Sequence, residues 1–189
     1  MALALVPFWA MQRIAHNAGR ALRLDRNLYT SLQWDQSATA DAVLIVAIMG
    51  AFPAVVGAML GRISLLALPT AVFQQVVGYL VGWLVAAGIL HLVATRTFGS
   101  SGRWQVGLAL AGYAYVPFVV VSAIGPFVAN PFDGVLTPIE LLLRLVGIVW
   151  FAAGLNRVAD VAYDLPAQRS PMAAGLAVLG WWVVVSILL

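Results

Sequence analysis

Glu140 and Arg144 are the residues whose types and spacing most suggest chemistry. They stand four apart, so on a helix they share a face and can pair, with the acid first as the helix field favours. The run around them is otherwise apolar. An ionisable pair inside a membrane marks a functional site by default, because its desolvation must be offset by a partner or a polar path. Two roles are open: a structural ion pair near one end of a span, or a transport or recognition site. Little else in the chain is reactive. His16 and His91 have no metal-ligand neighbour at motif spacing, and cysteine is absent. The seven acidic residues are scattered, and no metal-protease, serine-hydrolase or phosphate-loop motif is present. The expectation is a chain that is not an enzyme, with no catalytic set, no metal and no cofactor.

The elements that position these residues follow from composition. The chain is 63% apolar and 9% charged, with a mean hydropathy of +0.98. Soluble domains average about 45–50% apolar and about 25% charged. Such a surplus of apolar surface calls for lipid as solvent. A crossing helix needs about 20 apolar residues, and five windows qualify: 40–60, 71–94, 104–124, 135–154 and 171–189. The fourth is the weakest because it holds Glu140 and Arg144, and a re-entrant or tilted segment is its alternative. The predicted fold is an all-α, polytopic bundle of five transmembrane helices over 40–189, after a short extramembrane segment, 1–39.

That segment carries an amphipathic helix. Phe8, Met11, Ala15, Ala18 and Leu22 recur at helical spacing, and Gln12, His16, Arg20 and Arg23 recur opposite them. Arg13, Arg20 and Arg23 supply a basic face that suits anionic headgroups at the bilayer surface. All ten basic residues are arginines. Arg13, Arg20, Arg23 and Arg26 precede the first window, Arg96 and Arg103 lie between the second and third, and Arg157 and Arg169 lie between the fourth and fifth. Arg62 is alone on the other side. The positive-inside rule then puts the N-terminus in the cytoplasm and the C-terminus opposite, across an inner or plasma membrane. The thin spread of arginines does not suggest nucleic-acid binding. Asp41 reads as a first-turn acid, and Trp104, Trp150, Trp181 and Trp182 as interface anchors. Gly57–Gly61 and Gly78–Gly82 have the spacing of close helix contacts. Pro53 and Pro117 are expected to kink their spans. The sequence GSSG at 99–102 reads as a flexible turn.

From Phe98 to Pro117 the sequence resembles the Yip-domain family of membrane proteins. Gly99, Gly102, Trp104, Gln105, Gly112, Tyr113 and Pro117 match that family's glycine loop and its GY…P signature, and Gly154–Leu155 matches the pair that closes its fourth span. The resemblance covers roughly 35–189 and implies the same five-span layout with a cytoplasmic N-terminus. Eukaryotic members of the family interact with Rab GTPases. The brief N-terminal region, short loops and arginine-only basic set look bacterial, so that trafficking role is not carried over. What remains is a non-enzymatic scaffold or adaptor that binds other membrane proteins or organises the bilayer, with homo-oligomerisation open. The competing reading is a small-molecule or ion transporter using Glu140 and Arg144.

Overall fold

The computed structural model describes residues 8–128 and 138–188. They form eight α-helices in chain order: α1 Phe8–Leu22, α2 Arg26–Leu32, α3 Ala38–Met59, α4 Leu68–Leu92, α5 Trp104–Ala114, α6 Val116–Val128, α7 Pro138–Tyr163 and α8 Ser170–Leu188. A π-helical turn, Val93–Thr97, continues α4. Among the described residues there is no strand. Four stretches are long and apolar enough to cross a bilayer: Ala38–Met59, Leu68–Thr97, Trp104–Val121 and Pro138–Tyr163. The fifth expected window falls on α8, a 19-residue helix of apolar sequence.

The helix ends follow local chemistry. α1 stops where Leu24 takes a φ of 53°, a left-handed conformation that normally falls to glycine. The Leu24 and Asp25 amides return to the carbonyls of Ala21 and Arg20, closing the last turn. Asp25 then caps α2 by accepting from the Asn27 amide at 2.9 Å. α3 runs unbroken through Pro53. The third span is divided at Tyr115, two residues before Pro117, whose ring nitrogen cannot continue the ladder. α7 continues nine residues past the predicted end at Gly154. Asn156, Arg157 and Asp160 cut the apolar run short without cutting the helix. At 26 residues α7 is one unbroken rod, about 39 Å long, which is long enough to cross a bilayer.

Packing is staggered. α3 meets α4 where Gly50 lies against Val76, and α8 meets it where Gly180 lies against Ile89. Those two points on α4 are about 20 Å apart along its axis. α1 packs on α5 and α6, and α2 packs on α5 and α7. α2 is the element the sequence reading missed. Its Leu28 and Tyr29 are fully buried in the common core, so the segment before the first span also packs on the bundle through α2. At mid-bundle Tyr115, Phe118, Phe151 and Trp181 pack edge to face, with Phe118 and Trp181 centroids 5.0 Å apart and Tyr115 and Phe151 4.7 Å apart. Trp181 is 3% exposed and thus a core residue, not an interface anchor. Its neighbour Trp182 faces outward, as do the aliphatic faces of α3, α7 and α8.

Candidate functional site

The Gly99–Gly102 loop is a fixed clamp on the end of α7, not a loose turn. Gly99 has a φ of +71°, which ends the π turn and favours glycine. Gly102 is required for a different reason. A Cβ there would stand 2.5 Å from the Ala162 carbonyl and collide with the Tyr163 ring. Between them, Ser100 Oγ donates to the Tyr163 carbonyl at 2.6 Å and accepts from the Gly102 amide at 3.1 Å. Tyr163 is the hub. Its hydroxyl lies 3.2 Å from His91 Nδ1, and His91 also packs edge-on against Trp104, with centroids 5.5 Å apart. Gly107 of α5 leaves room for the Tyr163 hydroxyl, which a Cβ would meet directly. Gln105 is exposed beside the clamp.

The remaining signature residues bring helices together. Gly112 of α5 presses on Ala42 of α3 and on the Trp83 indole, whose Nε1 donates to the Leu108 carbonyl at 3.0 Å. Gly154 of α7 lies on Ala114, and Leu155 beside it is fully buried. Pro117 begins α6. Gly57 admits Ile63 from the following turn, whereas Gly61 serves that turn with a φ of +70° and makes no close helix contact. Gly78 and Gly82 are buried in α4.

Tyr113 points elsewhere, into a charged socket under α1. Arg13 Nη2 stands 2.9 Å from Asp41 Oδ1 and 2.8 Å from its Oδ2. Arg13 Nη1 reaches Asp35 Oδ2 at 3.8 Å. Asp41 is 6% exposed, so this pair sits mostly out of water in the first turn of a membrane-length helix. Such a pair holds only while both partners are present. Asp35 is further held by the Ser37 amide and hydroxyl at 2.8 and 2.7 Å. The fully buried Tyr113 hydroxyl faces Asp41 and Asn17 but makes no well-aligned hydrogen bond. Beside the socket an apolar groove of about 340 Å³ runs between α1 and α3, lined by Met11, Ile14, Ala15, Ala18, Leu44, Ile45, Ile48 and Met49.

The basic face is largely engaged. Arg13 turns onto Asp41, Arg20 Nε donates to Asp25 Oδ2 at 2.8 Å, and Arg23 is exposed. Arg26 pairs with Asp160 at 3.2 Å and ties α2 to α7. Glu140 lies in the first turn of α7, half-buried, and Arg144 one turn on is exposed. Four ion pairs gather at the arginine-rich end, which is about 30 Å from Glu140 along α7. No group of three or more His, Asp or Glu suited to a metal occurs among the described residues. Asp35, Ser100 and Tyr163 were not singled out from sequence. Only their polarity or aromaticity near span ends marked them.

Bundle, clamp and socket together define a multi-pass helical membrane protein whose signature residues set helix contacts. A family model for the Yip1 domain matches residues 26–189, and the chain belongs to that family. The matched region takes in α2 and excludes α1. No curated protein and no solved structure matches the chain.

Proposed function

We propose that this protein is a non-enzymatic membrane scaffold that holds other membrane proteins through its lipid-facing helices and its arginine-rich end. The observation that carries this reading is the closed middle of the bundle, where Tyr115, Phe118, Phe151 and Trp181 interlock. The ion pairs of α1 and α2 and the Gly99–Gly102 clamp lie together at one end. A transporter needs a polar route past that level, and the aromatic cluster occupies it. The chain crosses an inner membrane five times with α1 in the cytoplasm, a layout supported by eight arginines on one side against Arg62 on the other.

The test is crosslinking in native membranes from photoreactive residues placed at exposed Val149, Trp182 and Trp34. A scaffold gives the same stoichiometric partner in repeated preparations. Recovery of lipid adducts alone from all three sites sinks the reading. Because the chain has no cysteine, single cysteines at Arg23 and Leu65 report sidedness directly, and labelling of both from one side overturns the layout.

A further inference from the structure

We infer that the socket under α1 is a docking site for a basic amphipathic helix of a membrane partner, and that α1 fills it in cis as a replaceable occupant. The inference deepens the scaffold reading and rests on it. Four observations converge. α1 lies outside the Yip1-domain region, which begins at Arg26, so the socket belongs to the domain while its occupant does not. The socket is charge-complementary to an arginine, because Asp41 and Asp35 receive the Arg13 guanidinium at 2.8 and 3.8 Å. The fit of α1 is incomplete. The Tyr113 hydroxyl, wholly buried and aimed into the socket, faces Asp41 and Asn17 without a well-aligned hydrogen bond to either. The groove between α1 and α3 is lined only by apolar side chains. Finally, α1 joins the domain through Leu24, a bulky residue in the left-handed region, which sets a sharp corner between α1 and α2.

The occupant follows from this chemistry. It is a helix lying at the inner leaflet, with an arginine for Asp35 and Asp41, a neighbouring hydrogen-bonding group for Tyr113, and an apolar stripe at i, i+3, i+4 and i+7 for Leu44, Ile45, Ile48 and Met49. α1 itself has this pattern in Met11, Ile14, Ala15 and Ala18, so its own sequence serves as the probe.

The experiment uses the full chain in nanodiscs of zwitterionic lipid and a fluorescent peptide of residues 8–22. Arg13→Ala in the full chain weakens the cis occupant. The peptide should then bind saturably and at least tenfold tighter than to the wild-type chain. A peptide carrying Arg13→Ala should lose that gain, as should Asp41→Asn placed in the same Arg13→Ala chain. A second arm avoids misfolding. Ala15→Cys and Leu44→Cys, bridged by a bismaleimide across the groove, should abolish peptide binding that the unbridged protein shows when the peptide is in excess. Binding that ignores Arg13, Asp41 and the bridge is lipid partitioning and overturns the inference. Absence of saturable binding to the Arg13→Ala chain, with that protein monodisperse, also overturns it. Either failure leaves crosslinks from Val149 and Trp182 untouched, so the broader scaffold reading stands or falls separately.

Discussion

Gly112 of α5 lies so close to Ala42 of α3 that a Cβ built on the glycine would stand 2.5 Å from the alanine Cβ. The two smallest side chains meet where two spans cross, and van der Waals packing of this kind is what holds helices together in lipid. Gly112→Leu should therefore force α3 and α5 apart and destabilise the protein by about 1–3 kcal/mol or more. Gly88 is the control, because nothing lies within 4 Å of a Cβ there. Gly88→Ala should be neutral or mildly stabilising through helix propensity. Thermal unfolding in detergent reads both, and equal melting temperatures for the two variants would refute the crossing.

Phe151 is fully buried and touches Tyr115, Phe118 and Trp181 at once. Phe151→Ala should cost about 3–5 kcal/mol, the range for emptying a packed aromatic site. Val149 lies two residues away and points outward, so Val149→Ala should change stability little. If Phe151→Ala is silent as well, the middle of the bundle is not the closed core described here.

The spans were legible because each needs a long apolar run, and little else competes for that signal. Their ends were not. Asn156, Arg157 and Asp160 look like a loop, yet α7 runs on to Tyr163 because Asp160 meets Arg26 on the docked α2. α2 itself has seven residues, too short for periodicity to register, and only tertiary burial of Leu28, Tyr29 and Leu32 sustains it. The signature glycines stood out as a pattern, but their reasons differ and only the structure separates them. Gly99 supplies a left-handed turn, whereas Gly102, Gly112 and Gly154 supply closeness. Tyr163 escaped notice because its partners His91 and Ser100 are distant in sequence and only meet it at the end of α7.

Gly107 and Tyr163 should be energetically coupled. A Cβ at Gly107 meets the tyrosine hydroxyl first and its ring carbon Cζ next, at 2.7 Å. Gly107→Ala alone should destabilise, and Tyr163→Phe alone should cost about 1 kcal/mol through the lost contact with His91. Combined, they should cost less than the sum, because removing the oxygen opens the space the methyl needs. Strict additivity in chemical or thermal unfolding would show that the clamp is not packed as described.

The α1–α2 corner should loosen in acid. The Arg20 side-chain hydrogen bond, opposed by slight desolvation and aided by the Asn27 amide, holds the Asp25 carboxyl below its ordinary value of 3.8. Burial opposes ionisation of Asp35 too, but the Ser37 hydroxyl and amide and the Arg13 charge outweigh it, so that carboxyl is also lowered. A carboxyl depressed in the folded state contributes stability above its unfolded pKa, and loses it as pH falls through the folded value. The contribution is thus complete at neutral pH, declines from about pH 4 and is gone once both acids are protonated. Hydrogen exchange of the α1 and α2 amides should accelerate, beyond its intrinsic pH dependence, across that acid range while α4 and α7 stay protected. In Asp25→Asn the same amides should exchange faster at neutral pH and show a weaker acid response, since one of the two titrating groups is gone. An unchanged response in the Asp25→Asn, Asp35→Asn double variant would mean that other groups hold the corner.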